Sequence, residues 1–567
     1  MINRKSKKRL FFLIKGKISS VFTTLHICFL LTIAFFTLSC GGNDDREVDD
    51  ARFKLEGISI NNIKNQDSYV DLEPDLTIVL TFSDKVAVNS LSDNITLKNK
   101  EGKLQSLNIN SNNNPVITIA AGVQQFAGYE LIINTALKSD KGTPILTGKT
   151  YSLTTGMDMS DKFLRIPDEE LLTLVQKQTF RYFWDFAHPV SGMARERTTS
   201  TGTVTTGGTG FGVMTIIVAA ERGFVSHTDA LNRIQKIVSF LDTKCTRYHG
   251  AYAHWINGET GATIPFSVDD NGGDLVETAL LFQGLLTARN YFRANTAEEI
   301  KLRDDITRLW EAIEWSWYRK DNENVLYWHW SADKGWIKNL KITGWNECLI
   351  VYILAASSPT YSIPETVYHE GWARNGDLAN GSLFYGHKLP LGRDYGGPLF
   401  FSHYSFLGID PRNLKDRYAD YWEQNRNHSL INYKYCMENP KNYYGYSGDC
   451  WGLTASDGNT GYSAHSPSND RGVIAPTAAI SSIPYTPEES MKALHFFYYK
   501  MGDKLWSDYG FVDAFNLSAN WFDDQHIAID QGPVVIMIEN YRTRLLWNLL
   551  MSDTEIQAGL IKLGFQF

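Results

Sequence analysis

Apolar and polar residues alternate with a period of two over residues 52–155, as in strands that bury one face. The runs 76–82, 95–97, 116–119 and 129–133 are short and β-branched, with clusters of Asn, Asp, Ser and Gly between them. This spacing predicts an all-β sandwich of about 100 residues. From about residue 158 the period lengthens. Leu171, Leu172, Val175, Phe180 and Phe183 fall at helical intervals within 169–188.

Further helices are predicted over 210–222, 229–243, 273–291, 296–319, 344–357, 414–426, 487–501 and 531–551. Gly- and aromatic-rich loops, notably 376–398 and 440–472, lie between them. About a dozen helices over roughly 410 residues suit an all-α (α/α)6 toroid, in which inner helices surround a cavity and loops from one end build a cleft. The chain of 567 residues is thus read as multidomain. A small β-sandwich over 52–156 precedes a helical domain over 157–567. The sandwich resembles bacterial Ig-like domains through the segment from Phe82 to Val86, and a spacer is its expected role.

The N-terminus adds an address. Lys5, Lys7, Lys8, Arg9, Lys15 and Lys17 precede an apolar run over 21–38 that ends in Thr37, Leu38, Ser39 and Cys40. A positive flank, an apolar run and a small residue before the cut describe a secretory signal over 1–39. Cys40 resembles the acylated cysteine of bacterial lipoproteins, although Thr37 stands where Leu is commonest. An uncleaved signal anchor is the competing reading, since the run is nearly long enough to span. The acidic stretch that completes 40–51 reads as a solvated tether and resembles a surface-export signal of Bacteroidota lipoproteins. The expectation is an exported outer-membrane lipoprotein, at the cell surface or facing the periplasm, held to the membrane by its lipid.

Composition narrows the chemistry. Aromatic residues make up 13% of the chain, and besides filling cores they offer flat faces to the CH-rich sides of sugar rings. A net charge of −8, with no basic tract beyond the N-terminus, excludes a nucleic-acid partner. Cys245, Cys348, Cys436 and Cys450 lack metal spacing; Cys436 and Cys450 are read either as a disulfide or as buried thiols. HExxH, GxSxG and phosphate-loop patterns do not occur, so no metal or cofactor is expected. The run from Gly207 to Gly212 mimics a glycine-rich nucleotide loop but lacks its lysine.

Two acidic segments stand out. Asp269, Asp270, Asp274 and Glu277 fall within nine residues at a helix start. Asp274 as N-cap with Glu277 as its capping-box partner accounts for two of the four. Asp269 and Asp270, ahead of two glycines and beside Phe266 and Val268, are left as site candidates. Glu347 is expected in the first turn of a strongly apolar helix capped by Thr343, crowded by Trp345 and Cys348. Desolvation raises a carboxyl pKa, and a retained proton is what a general acid needs. Glycoside hydrolysis uses two carboxyl groups, about 6.5–9.5 Å apart for inversion and about 5–5.5 Å for retention. The loop carrying Trp451 and Asp457, and the segment from Asp530 to Arg542, are further candidates, with an intrahelical Glu539–Arg542 pair as the plain reading of the latter.

The ordered motifs TGGTGFGVMTIIVAAERGF, VDDNGGDLVETALLFQGLL, ITGWNECLIVYILAASSP, WGLTASDG, YGFVDAFN and IDQGPVVIMIENYRT resemble the glucoamylase-like domain of glycoside hydrolase family 144 over roughly 165–560. The resemblance implies the (α/α)6 fold and inverting hydrolysis of β-1,2-glucan to sophorose or short oligosaccharides. It also implies Glu347, Asp270 and Asp274 as catalytic candidates. Glu347 is then expected as general acid, with Asp270 or Asp274 activating water. Trp345, Asn346, Tyr395, Trp451, Asp457 and Asp530 are expected to bind substrate. A different glucosidase, such as a glucoamylase, and a non-catalytic surface glycan-binding lipoprotein are the competing readings.

Overall fold

The computed structural model describes residues 52–111 and 114–567. The expected leader 1–39, the tether 40–51 and the lipidation site Cys40 lie outside the described residues. Contacts divide the chain into two units, one holding 52–124 and 128–155, the other 125–127 and 156–567. No helix among the described residues is long and apolar enough to cross a membrane.

The first unit is all-β. Its strands are β1 (Leu55–Ile60), β2 (Ile63–Lys64), β3 (Ser68–Leu72), β4 (Asp75–Phe82), β5 (Ile95–Asn99), β6 (Asn108–Asn110), β7 (Val116–Gly122), β8 (Gly128–Ile133) and β9 (Lys149–Thr155). They form two sheets, ordered β2-β1-β4-β7-β6 and β3-β9-β8-β5. Pairing is antiparallel except between β3 and β9. The period-two pattern explains the burial: Leu76, Ile78, Leu80 and Phe82 of β4 point inward, as do Ile117, Ile119 and Ala121 of β7.

The second unit is helical with small sheets. Its main helices are α1 (Asp168–Trp184), α2 (Thr206–Glu221), α3 (His227–Thr243), α4 (Leu275–Tyr291), α5 (Ala297–Glu311), α6 (Leu349–Ser357), α7 (Tyr421–Glu438), α8 (Pro476–Ser481), α9 (Pro487–His495), α10 (Ala528–Arg542), α11 (Leu545–Met551) and α12 (Thr554–Lys562). Two kinds alternate over the first half. Helices α1, α3 and α5 bury one face, whereas α2, α4 and α6 are buried nearly all round. An all-round apolar helix belongs inside. Accordingly α6 packs on α4, α4 on α2, α2 on α10 and α10 on α8.

The glycine-rich run at the start of α2 serves this packing. A Cβ on Gly210 would overlap the Leu280 carbonyl, and one on Gly284 would overlap the Gly210 carbonyl. Helices α2 and α4 therefore touch backbone to backbone. Two short sheets lie beside their N-termini. One joins β10 (Thr203–Thr205), β11 (Trp255–Asn257) and β12 (Thr263–Ile264); the other pairs β13 (Gly273–Asp274) with β14 (His329–Trp330).

Several helices differ from expectation; the one predicted over 296–319 ends at Glu311, ahead of a separate 3-10 turn at Trp315–Arg319. The predicted helix 414–426 starts instead at Tyr421, where Asp420 accepts hydrogen bonds from the Trp422 and Glu423 amides, and runs to Glu438, ending on left-handed Asn439. Beyond residue 426 it buries Asn427, His428, Ser429 and Asn432 among Leu430, Ile431, Tyr435 and Cys436, so polar and apolar positions mix and no apolar period shows. The predicted helix 531–551 splits into α10 and α11 because Arg544 is left-handed, with φ of 65°. The helix expected over 344–357 begins only at Leu349, because Asn346 Oδ1 accepts the Cys348 amide at 2.9 Å and holds a turn ahead of it. Thr343 is therefore not its cap, and Glu347 precedes the helix. Cys436 and Cys450 are free, buried thiols.

Candidate active site

A cavity of about 390 Å³ opens beside the N-termini of α2 and α4. Its wall carries three acids, Glu196, Glu277 and Glu347, and six large rings, Trp255, Phe266, Trp328, Phe400, Tyr404 and Tyr462. Arg197, Thr205 and His254 complete the polar lining. A pocket mostly of apolar rings with a few convergent charges has the usual make-up of a ligand site.

Asp274 organises one side. It is fully buried and caps α4: its Oδ1 accepts the amides of Val276 and Glu277, both at 2.9 Å. Its Oδ2 accepts from Trp328 Nε1 at 3.0 Å and from His254 Nδ1 at 3.1 Å. Four donors occupy the carboxylate, which leaves none of its lone pairs for water. Asp274 orients two cavity residues and does not itself line the cavity.

Glu277 departs from the capping-box reading. Its Oε2 accepts the Gly207 amide at 2.7 Å, at the positive N-terminal end of α2. Its Oε1 lies 3.9 Å from His254 Nε2. Capping boxes pair neighbours in sequence, and Gly207 stands 70 residues upstream. His254 is thus held between two carboxylates. Burial works against its charge, yet Glu277 and Asp274 raise its pKa to about 9, so the ring is an imidazolium at neutral pH. Phe266 stacks on it at 4.2 Å.

Glu347 lines the cavity from the turn before α6. Its carbonyl accepts from Ser405 Oγ. Burial, aided by the charges of Asp274 and Glu277, pushes its carboxyl up to about 7. Asp270 stands apart: its Oδ2 accepts from Lys338 Nζ at 3.0 Å, and its Oδ1 lies 3.6 Å from His329 Nε2. That nitrogen accepts the Gly272 amide at 2.9 Å, so His329 is neutral and makes no ion pair with Asp270. Burial lowers the His329 pKa accordingly.

The expected binding residues scatter. Asp457 accepts from Arg197 Nη1 at 2.8 Å, and Asp530 Oδ1 accepts from the Tyr404 hydroxyl at 3.1 Å; both stand directly behind cavity residues. Burial pushes Asp530 up to about 7. Trp345 packs into the core between Phe406 and Tyr421, each 6.2 Å away. Trp451 is wholly buried, and its indole donates to the Glu489 carbonyl at 3.2 Å. Neither ring presents a face to ligand, which corrects the platform roles expected of them. Asn346 uses its side chain in the turn described above. Tyr395, with φ of 65°, packs against Phe384 at 4.6 Å and does not line the cavity. The expected Glu539–Arg542 pair is likewise replaced: Glu539 accepts from Arg222 Nε at 2.7 Å, and Arg542 donates to Gln176 Oε1 at 2.8 Å.

His254, Trp255, Trp328, Tyr404 and Tyr462 went unnoticed in the sequence, since they come from four separate segments. Phe266 carried a signal, an apolar residue beside acids and glycines.

A protein-family model described as "Putative glucoamylase" matches residues 339–554. An exo β-1,2-glucooligosaccharide sophorohydrolase (non-reducing end) of Parabacteroides distasonis is 44% identical over 453 residues, 76% of this chain and 61% of that protein. The chain thus spans under two thirds of that relative's length. Among solved structures, an endo-β-1,2-glucanase from Chitinophaga pinensis, in complex with sophorotriose and glucose, is 54% identical. The match covers 71% of this chain and 99% of that one, with a TM-score of 0.70. A β-1,2-glucanase from Parabacteroides distasonis is 38% identical over 90% of this chain and 73% of that one, with a TM-score of 0.69.

Proposed function

The chain belongs to glycoside hydrolase family 144, and from that premise we propose that it hydrolyses β-1,2-glucan to sophorose or short oligosaccharides with inversion. One observation carries the reading: a carboxyl group raised to about 7, Glu347, faces a ring-walled cavity in a chain that matches 99% of the Chitinophaga pinensis β-1,2-glucanase. Aromatic faces suit the CH-rich sides of glucose rings. Glu347 is the general acid, holding its proton near neutral pH for the leaving oxygen. Asp274 positions His254 and Trp328. Asp270, paired with Lys338, shapes the loop that carries Phe266.

Two carboxyl groups can receive the proton of the attacking water. Glu277 faces the cavity directly, and Asp530 is reached through the Tyr404 hydroxyl. Azide distinguishes them, because it replaces the activated water and restores turnover only where the removed group was the base. Incubation with linear β-1,2-glucan, with product lengths and anomeric configuration read by NMR, tests the activity. Turnover of starch in its place overturns the linkage.

Wider features join the proposal. The chain of contacts α6–α4–α2–α10–α8 is read as part of an (α/α)6 ring whose outer layer includes α1, α3 and α5. The two-sheet unit is read as an Ig-like sandwich. Asn346, Tyr395, Asp457 and Asp530 are read as second-layer supports of the cleft. Anchoring through Cys40 in an outer membrane rests on the sequence pattern; incorporation of labelled palmitate, lost in Cys40→Ala, tests it.

A further inference from the structure

We infer that Asp513 and Asp530 share one proton, held on Asp513 through neutral pH, and that Asp513 is thereby a positioning residue for the Tyr404 hydroxyl on the cavity wall. Both acids are buried, and their side chains are hydrogen-bonded to each other. Each has one oxygen engaged elsewhere. Asp513 Oδ2 accepts the Asp457 amide at 2.7 Å, and Asp530 Oδ1 accepts from the Tyr404 hydroxyl at 3.1 Å. The oxygens left over, Asp513 Oδ1 and Asp530 Oδ2, are buried, and no amide, hydroxyl or cationic group reaches either. Ionised carboxylates only accept, so a hydrogen bond between the two acids requires a proton on one of them. Like charges in contact in a buried site cannot both ionise.

The surroundings place the proton on Asp513. Burial raises its carboxyl well above the usual range, and the charges of Asp530, Asp457 and Asp523 add to this. Burial raises Asp530 as well, but the hydrogen bonds it receives from Tyr404 and Asp513, and the charge of Arg197, hold it to about 7. Tyr462 also faces the pair and stays a neutral phenol, since burial raises its hydroxyl further above 10. Such a pair titrates as a unit, the first member to ionise making the second harder to ionise.

The direction of the hydrogen bonds follows. Asp513 donates to Asp530, and Tyr404 spends its one hydroxyl proton on the same carboxylate. The Tyr404 oxygen therefore offers lone pairs to the cavity that it lines. There it accepts from a sugar hydroxyl or from the attacking water, a consequence that rests on the hydrolase reading. A proton on Asp530 Oδ1 would reverse the Tyr404 bond, and Asp513 prevents this by holding the proton on the far side. Asn mimics the protonated acid: its carbonyl can accept the Asp457 amide while its NH₂ donates to Asp530.

The test is infrared difference spectroscopy of the full-length protein against Asp513→Asn, at about pH 8, above the range in which Glu347 and Asp530 lose their protons. The wild type should show the carbonyl band of a protonated carboxyl, shifted in D₂O, that the variant lacks. Identical spectra in that region overturn the inference. On linear β-1,2-glucan, Asp513→Asn should retain about tenfold more kcat/KM than Asp513→Ala, which leaves Asp530 without its donor. A folded Asp513→Asn no better than Asp513→Ala overturns the positioning role, because charge and not the proton would then matter. If Asp513→Ala does not fold, the infrared comparison decides. That comparison involves no hydrolysis, so the proposed activity stands or falls separately.

Discussion

Gly207 donates its amide to Glu277 Oε2 at 2.7 Å, and a Cβ on that glycine would sit 2.8 Å from the same oxygen. The first turn of α2 thus fixes an acid belonging to α4. Glu277 is one of the charges that raise Glu347. Replacing it with Gln removes that charge, so the turnover left in Glu277→Gln, measured with azide if Glu277 is the base, should show its basic limb at lower pH, by about half a unit to one unit. An unmoved limb would show that the two groups do not interact.

Glu347 must carry a proton to act as an acid. Its carboxyl is pushed up to about 7, so turnover should fall as pH rises through about 7. Glu347→Gln keeps the shape and should reduce kcat about 10²–10⁴-fold on linear β-1,2-glucan. The circular dichroism spectrum should be unchanged. Near-normal turnover in a folded variant refutes the role.

His254 predicts a stability change. Its folded pKa is about 9, above the unfolded value near 6.5. The group's contribution is therefore complete below about 6.5 and disappears as pH rises to about 9. Its size is at most about 3 kcal/mol. Wild-type Tm should decline across that window, and His254→Gln should start lower and decline less. Parallel curves for the two proteins would argue against the imidazolium.

Phe266 is half-exposed, lines the cavity and stacks on His254. Phe266→Ala removes a ring face that grips substrate in ground and transition states alike. KM should rise about tenfold with kcat nearly unchanged. A drop confined to kcat would place the ring in the chemical step.

Glu539 tests structure apart from chemistry. It is wholly buried and accepts from Arg222 and Gln176, which join α10 to α2 and α1. Glu539→Gln leaves Arg222 without its partner and should cost about 3 kcal/mol. Tm should fall with kcat retained in the folded fraction, since neither residue lines the cavity.

The strands of the first unit were readable because one face is wet and one is dry, so alternation marks them residue by residue. Helices α2 and α6 were readable as apolar runs. The part of α7 beyond residue 426 was not, because it buries amides and a histidine among its apolar residues. Glu347 could be singled out because an acid inside an apolar run is conspicuous locally. Glu277 was conspicuous too, but its carboxylate answers to a glycine 70 residues away, which no local pattern reveals. Trp451 shows the converse. Its type and loop suggested a sugar platform, while its contacts, invisible in sequence, place it in the core.

The contact of Gly210 with Gly284 has a consequence for how this cleft can change. Two helices that meet through their main chains have no side chain between them to enlarge or shrink. Variation elsewhere in the interior can alter how tightly the unit packs without sliding α2 along α4. The frame that holds Glu277 and Asp274 is in that sense a fixed gauge. The loops that bring Phe266 and Tyr462 to the wall meet no such main-chain contact, so substitutions there alter what surrounds the acids and leave their spacing alone.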